Sequence, residues 1–352
     1  MENVDNFILC FQTCVILPNT RSFRALTDSL RVHRKRKFFF QSVFLPYQLF
    51  FKHSSHSRIS VTAEWKPEGL MQNVVEEKWK EVDELQNSLA ARKDGPLSLR
   101  LQYFAEQHHP HLVKTLKSHR GKLKVVGDMK RTTYGTKPRQ KLEIADIINP
   151  RKTAQTMVES GVDAISVAVD YSVYSGTFFD LKETVEFVKS VDCECSIPVI
   201  CKDLVVHPLQ IAAAKEAGAD AVLLIAAACL SDLPELLNAA TVVGLDAIVE
   251  CHKEWECEYA MEYGATILLL SNRSRVDGEI YMGTAERLRG MIPNFIATIA
   301  GGGIETKEEA FSIQDAGFDA VIIGRSLFRP SGMQLVHSIQ QRIIEESLPG
   351  FF

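Results

Sequence analysis

A short repeated pattern, in which a helical segment ends at glycine and an apolar strand follows at once, constrains the fold of this chain most. It recurs at SGVDAISVAV (160–169), AGADAVLLIA (217–226), VGLDAIVE (243–250), YGATILLL (263–270) and AGFDAVIIG (316–324). Glycine suits this place because a helix end commonly needs one residue in the left-handed backbone region, which glycine adopts without strain. Alternating helices and buried strands are typical of α/β folds with a parallel sheet.

The apolar runs predict eight strands. They lie at about 124–129, 163–168, 197–201, 220–225, 245–250, 265–270, 295–300 and 319–323. Val, Ile, Leu and Ala fill these runs without clear alternation, as expected of strands covered by helices. Eight such units predict an α/β chain folded as a (β/α)8 TIM barrel. An open doubly wound sheet is the alternative, but no G-x-G-x-x-G sequence follows the first strand.

The chain of 352 residues is longer than the roughly 250 residues that one barrel needs. Helical patterns broken by proline fill residues 67–120, which predicts a helical extension in front of the first strand. We therefore divide the chain into a leader, residues 1–62, and a TIM-barrel domain, residues 63–352, that includes the extension.

The leader is basic and poor in acidic residues, with nine Lys/Arg, three Asp/Glu, seven Ser and nine Phe, whereas the rest carries 31 basic and 41 acidic residues. This composition is typical of an organelle transit peptide, so we expect import into a plastid (chloroplast) and processing near residues 59–63. The alternative to a transit peptide is a disordered tail or a misplaced start. For the location, the mitochondrion and the cytoplasm are the alternatives to the plastid.

Several classes of partner are not expected. The apolar stretch 43–51 is far shorter than the roughly 20 residues of a membrane span. No run of Lys/Arg outside the leader marks a nucleic-acid surface. The eight Cys form no C-x-x-C pair, so we expect reduced thiols and no metal site.

Three apolar runs end in groups that transfer protons or stabilise charge. VVGDMK, IPVICK and LDAIVE end at Lys130, Lys202 and Glu250, on strands one, three and five. Because barrel enzymes place their chemistry at the carboxyl ends of strands, these residues predict one site. The alternatives are a solvated Lys130, a Lys202 paired with Asp203, and a Glu250 paired with Lys253.

Two glycine loops follow strands seven and eight, at Ala300–Ile304 and Gly324–Ser326. In barrels these loops often bind phosphate, because glycine lets backbone N–H groups approach the anion. Gly302, Gly303 and Gly324 are therefore predicted to bind a phosphate, and Arg325 to add a charged contact. Tight turns without a ligand, and a surface Arg325, are the alternatives.

From Met71 to about Arg329 the chain resembles indole-3-glycerol phosphate synthase of tryptophan biosynthesis. The resemblance is carried by IPVICKDLVVHPLQIAAAKEAGADAVLLIAAACL (197–230), and by VVGDMKR, IVECH and LLLSNRS. It implies a carboxy-lyase (carbon–carbon lyase) that needs no cofactor and closes the ring of a carboxyphenylamino-deoxyribulose phosphate with loss of carbon dioxide and water. The resemblance implies no partner beyond this phosphorylated small molecule, and an association with another enzyme of the pathway stays open.

The same resemblance suggests roles for individual residues. Lys202 would be the general acid, Lys130 the cation that holds the substrate carboxylate, Glu250 the general base, and Asp128 a further catalytic carboxylate. Ser271, Asn272 and Arg273 would contact the substrate.

This chain departs from the family pattern on the active face. Asp128 stands for Glu, Thr133-Tyr134-Gly135 for Ser-Pro-Ser, Ser271 for Asn, Gly301-Gly302-Gly303 for Glu-Ser-Gly, and Ser175-Gly176-Thr177 for Asn-Gly-Ser. Because a misplacement of about 1 Å can lower a rate ~100-fold, a catalytically impaired paralogue that binds phosphate ligands or acts as a scaffold is the main alternative. A sugar-phosphate enzyme with Lys202 as a Schiff base is a third.

Overall fold

The computed structural model describes residues 67–103, 110–119, 121–135, 140–191 and 197–342. The leader assigned to residues 1–62 and its processing region lie outside the described residues, so plastid import stays a prediction. Among the helices that are described, none combines the length and apolar character needed to cross a membrane.

Eight parallel strands close into a barrel, in which the first strand pairs with both the second and the eighth. The strands are Lys124–Met129, Ala164–Ala168, Val199–Lys202, Ala221–Ile225, Asp246–Cys251, Ile267–Ser271, Ala297–Gly301 and Ala320–Ile323. All eight predicted strands are present, with bounds that differ by at most two residues. The (β/α)8 prediction is confirmed, and closure of the sheet excludes the open doubly wound alternative.

Helices surround the barrel, and short helices and two short strands lie at its mouth. The outer helices are Pro150–Glu159, Phe178–Ser190, Pro208–Glu216, Leu233–Val243, Glu254–Glu262, Thr284–Arg289, Lys307–Asp315 and Gly332–Gln341. Short helices span Tyr171–Tyr174, Ala226–Cys229, Leu230–Asp232 and Arg325–Phe328. Thr132–Tyr134 and Lys141–Glu143 form an antiparallel hairpin after the first strand that the sequence pattern did not predict.

The two-residue period of the strands decides which side chains reach the mouth of the barrel. Val126, Ile200 and Ile248 lie in the hydrophobic core. Because every second side chain of a strand points to the same face, the residues two positions later also point inward, at the carboxyl end. These residues are Asp128, Lys202 and Glu250.

The helical extension precedes the barrel as predicted, with helices Leu70–Asn87, Leu89–Ala91, Pro96–Gln102 and His111–Lys117. In the first of these helices the buried residues are Met71, Val75, Lys78 and Val82. Their spacing of three and four residues forms one stripe along a helix. The apolar members of this stripe share a hydrophobic cluster with Leu204, just beyond the third strand.

Lys78 is the charged member of this stripe, and its side chain is 4% exposed. Its ammonium lies 2.6 Å from Asp170, 3.0 Å from Asp203 and 2.6 Å from Glu81. Burial lowers the pKa of Lys78, but the charges of the three carboxylates outweigh burial and raise it above its usual value. Since Asp170 and Asp203 follow the second and third strands, Lys78 joins the extension to the mouth of the barrel.

We predict that Lys78→Met destabilises the protein by about 3–5 kcal/mol, because removal of one partner leaves buried carboxylates without a counter-charge. Urea unfolding of this variant, of a control variant and of the parent protein measures the change in the free energy of unfolding. The matched control is Lys80→Met on the exposed face of the same helix, which we expect to change the free energy of unfolding by about 0.5 kcal/mol at most. Equal effects of the two substitutions on the free energy of unfolding would contradict the role of Lys78 in joining the extension to the barrel.

Candidate active site

The carboxyl ends of the strands surround a pocket of about 100 Å³. Ten of the residues predicted for the site line it, namely Asp128, Lys130, Lys202, Glu250, Ser271, Arg273, Gly302, Gly303, Gly324 and Arg325. Asn272 does not line this pocket. Its side-chain nitrogen donates to the Gly302 carbonyl at 3.2 Å and its oxygen accepts from the Ala285 backbone N–H at 2.9 Å. Asn272 thus braces the seventh-strand loop from behind the pocket.

Asp128 bridges the two lysines. One of its carboxylate oxygens lies 2.5 Å from the Lys130 ammonium, and both oxygens accept hydrogen bonds from Lys202 at 3.0 Å. The Ser166 hydroxyl, on the neighbouring second strand, donates to the same carboxylate at 3.2 Å. Although an aspartate has one methylene fewer than a glutamate, Asp128 reaches both ammonium groups.

The bridge gives the two lysines different acidities. Burial would raise the pKa of Asp128, but the two ammonium charges lower it to about 2. Burial lowers the pKa of Lys130 to about 8, since the Asp128 charge offsets burial only in part and the Lys202 charge adds to the lowering. Burial also opposes the charge of Lys202, but Asp128 outweighs burial and the pKa of Lys202 is raised. Lys202 therefore stays protonated near neutral pH, while Lys130 titrates close to it.

Glu250 is held by an arginine and a histidine side chain. Arg275 donates from Nε at 2.9 Å and from Nη2 at 2.7 Å, and His252 Nε2 lies 3.0 Å from Oε1. Burial raises the pKa of Glu250, but the charge of Arg275 and the hydrogen bond from His252 outweigh it, so the pKa lies well below its usual range. Burial lowers the pKa of His252, but hydrogen bonds to Glu250 and Glu256 raise it overall. The Glu250 carboxylate is therefore ionised.

Sequence reasoning missed Arg275 and the role of Tyr174. The buried Tyr174 hydroxyl accepts a hydrogen bond from Arg275 Nη1 at 3.1 Å, and the Lys202 ammonium lies 5.1 Å from the centre of the Tyr174 ring. Arg275 lies in a loop and Tyr174 ends the short helix Tyr171–Tyr174, so no strand period predicts which way either side chain points. The only available signal was an arginine shortly after the sixth strand, two positions beyond Arg273.

The alternative ion pairs considered for the site residues do not form. Asp203 pairs with Lys78 rather than with Lys202. Lys253 lies 4.0 Å from Glu68 and not against Glu250. Lys130 has a side chain 16% exposed and is bound to Asp128, so it is not a solvated strand-end lysine.

Most of the positions at which we expect departures from the family pattern lie on this pocket. Thr133, Ser271 and the three glycines 301–303 line it, as does Asp128. The turn after the second strand does not line it, and its side chains make structural hydrogen bonds instead. Ser175 Oγ lies 3.0 Å from Thr132 Oγ1, and Thr177 caps the helix Phe178–Ser190.

The glycine loop after the seventh strand adopts a backbone conformation that favours glycine. Gly302 and Gly303 have φ values of +87° and +83°, a region that favours glycine. A Cβ at Gly302 would lie 2.7 Å from the backbone nitrogen of Arg273, so a side chain there would clash. Arg325 lines the pocket beside Gly324, and among the described residues its guanidinium has no hydrogen-bond partner. The backbone and this guanidinium are therefore available to a ligand.

The pocket combines groups suited to acid–base chemistry with two glycine loops. It contains one lysine that stays protonated, one that titrates near neutrality, and an ionised carboxylate. Within the described parts of the chain, no group of three His, Cys, Asp or Glu side chains is arranged to hold a metal ion.

In sequence, the chain is similar to known proteins of one family. A sequence model of the family described as indole-3-glycerol phosphate synthase matches residues 71–339. The indole-3-glycerol phosphate synthase of Bacillus cereus is 35% identical over 189 residues, which cover 53% of this chain and 72% of the relative. That of Chlorobium phaeovibrioides is 31% identical over 258 residues, which cover 72% of this chain and 92% of the relative.

Among solved structures, the 3-hexulose-6-phosphate synthase of Salmonella typhimurium superposes with a TM-score of 0.50. The match is 15% identical and covers 62% of this chain and 97% of that structure. At this identity the match supports the barrel fold alone.

We predict that Lys130 is acetylated by acetic anhydride with a midpoint near pH 8, because only the neutral amine reacts and its pKa is about 8. An ordinary lysine, with a pKa near 10.4, is neutral to roughly 0.4% at that pH. Peptide mass spectrometry after brief labelling at a series of pH values gives the midpoint. Lys202, in the same pocket, is the internal comparison and should react only at much higher pH. A shared midpoint for the two lysines would be inconsistent with the asymmetric bridge.

Proposed function

The chain belongs to the indole-3-glycerol phosphate synthase family, and from this premise we propose that it catalyses the family's decarboxylating ring closure in tryptophan biosynthesis. The substrate would be carboxyphenylamino-deoxyribulose phosphate, which loses carbon dioxide and water. The observation that carries the proposal is the single pocket in which Lys130 and Lys202 share Asp128 and which two glycine loops also line.

Ring closure requires a proton donor to polarise the ketone and to expel its oxygen as water. Lys202 suits this role because Asp128 keeps it protonated and its ammonium lines the pocket. Lys130, with one hydrogen bond to Asp128 and a more exposed side chain, is free to meet the substrate carboxylate and the developing charge.

The reaction also needs an acceptor for the proton that leaves when the indole ring becomes aromatic. Glu250 is ionised and lines the same pocket, which supports the role of general base. Its hydrogen bonds to Arg275 and His252 fix the direction of the carboxylate. They also weaken it as a base, since a carboxylate of lowered pKa accepts a proton less readily.

The substrate phosphate would lie at the glycine loops. Backbone N–H groups near Gly303 and Gly324 would donate to its oxygens, and Arg325 would add a charge-assisted hydrogen bond. Ser326 supports this loop, since its hydroxyl donates to the Ile304 carbonyl at 2.8 Å and ties the eighth-strand loop to the seventh.

We predict that Lys202→Ala lowers turnover by roughly 100-fold or more, the usual contribution of a positioned acid–base group. Formation of the indole, followed by its fluorescence, measures turnover of the full chain. Binding of the unreactive ketone-reduced substrate analogue should change much less, because the phosphate loops are intact. The control is Lys93→Ala at an exposed position of the extension, with turnover expected to match the parent.

A parent protein that binds the analogue but produces no indole would overturn the synthase proposal in favour of the impaired paralogue. Borohydride trapping of a covalent adduct between Lys202 and a ketose phosphate would instead favour the Schiff-base enzyme.

We predict that Arg325→Ala weakens binding of ribulose 5-phosphate by about 10- to 100-fold, since a hydrogen bond to a charged group contributes about 1.5–3 kcal/mol. Isothermal titration calorimetry measures the dissociation constants. The control is Arg92→Ala, at an exposed position of the helical extension, which should leave the affinity unchanged. Unaltered affinity in Arg325→Ala would place the phosphate elsewhere.

A further inference from the structure

Arg275 is a buried cation of the pocket for which the proposed reaction has no direct role. Its side chain is 8% exposed, and it lines the same pocket as the two lysines. A charged group removed from water in this way is unfavourable unless partners compensate it. The partners of Arg275 are therefore informative about its role.

Two fixed groups hold the Arg275 guanidinium in place. Glu250 accepts from Nε and Nη2, and the Tyr174 hydroxyl accepts from Nη1. A guanidinium carries five N–H donors, and these contacts use three of them. The two remaining N–H groups, one on Nη1 and one on Nη2, have no acceptor among the described residues.

The charge of the pocket favours a ligand with more than one anionic group. Five cationic side chains line it, namely Lys130, Lys202, Arg273, Arg275 and Arg325. The acidic side chains are Asp128, Glu250 and Glu305, and Glu305 is paired at 2.9 Å with Arg329, which does not line the pocket. The glycine loops and Arg325 account for one anion, a phosphate, so positive charge remains for a second.

We propose that Arg275 binds the carboxylate of the substrate through its two remaining N–H groups, and that it determines specificity for substrates that carry this carboxylate. The inference rests on the proposed function, whose substrate has an aromatic carboxylate in addition to its phosphate. Arg275 and Lys130 would hold the carboxylate together, because a planar guanidinium supplies a directed fork whereas an ammonium supplies a point charge.

Glu250 and Tyr174 give this arrangement its selectivity. They fix the guanidinium before the ligand arrives, so little side-chain freedom is lost on binding. A ligand without the carboxylate would leave the two N–H groups buried and unpaired, which disfavours its binding.

The test compares two ligands on each protein variant. The first ligand is the ketone-reduced analogue of the substrate, and the second is the same analogue without the carboxyl group. We expect Arg275→Met in the full chain to weaken binding of the first by roughly 30-fold, and binding of the second by no more than about threefold. The control Arg92→Met, at an exposed position, should bind both as the parent does. A purely structural role for Arg275 would weaken both ligands equally.

A second variant separates loss of folding from loss of binding, because Arg275→Met alone leaves Glu250 buried without its cation. Arg275→Met/Glu250→Gln removes both charges, and we expect it to fold and to show the same selective loss. Glu250→Gln alone should still prefer the carboxylated analogue. Equal preference for the carboxylate in the parent and in the double variant would overturn the inference.

Binding of the two analogues by the parent protein shows which of the two proposals fails. A parent that binds both analogues with equal affinity contradicts the role of Arg275 but leaves phosphate recognition intact. A parent that binds neither analogue contradicts the synthase proposal itself, and the role of Arg275 with it.

Discussion

The buried carboxylate of Asp128 is the interaction on which the reactive end of this barrel depends. Two largely buried ammonium groups would repel each other and lose their hydration, and a shared anion compensates both effects. The sharing is unequal, because Lys202 binds both oxygens and Lys130 binds one. One carboxylate thus produces two lysines of different acidity, and a strongly basic lysine and a weakly basic one can serve different steps of a reaction.

Buried ion pairs also connect the helical extension to the site. Lys78 reaches Asp170 and Asp203, which follow the second and third strands, and Asp203 is the immediate neighbour of Lys202. Arg131 acts similarly after the first strand, since its guanidinium donates to the Asp180 carboxylate at 2.7 Å and to the Ile147 carbonyl at 2.8 Å. The loops at the mouth are held by such contacts, and for this reason a site assembled from separate strands can keep its geometry.

Much of the fold and of the site was predictable because both follow from period and order. Glycine-ended helices followed by apolar runs predicted the eight strands, and their carboxyl ends predicted Lys130, Lys202 and Glu250, which all line the pocket. The glycine loops after the last two strands also line the pocket. Asn272 differs from its sequence neighbours: Ser271 and Arg273 line the pocket, while the Asn272 side chain lies behind it, and its contact with the substrate stays a prediction. After a strand ends, the alternation of side chains no longer holds.

The sequence by itself determined the barrel, the helical extension and the family of the chain, because these depend on local hydrophobic period, on glycine at helix ends and on motifs within single βα units. The tertiary structure alone decided the partners of the charged groups. Arg275 meets Glu250 from 25 positions away, and Lys78 meets Asp203 from 125. The pKa values of these groups depend on burial and on distances of about 3 Å between charges, and both arise only when the barrel closes.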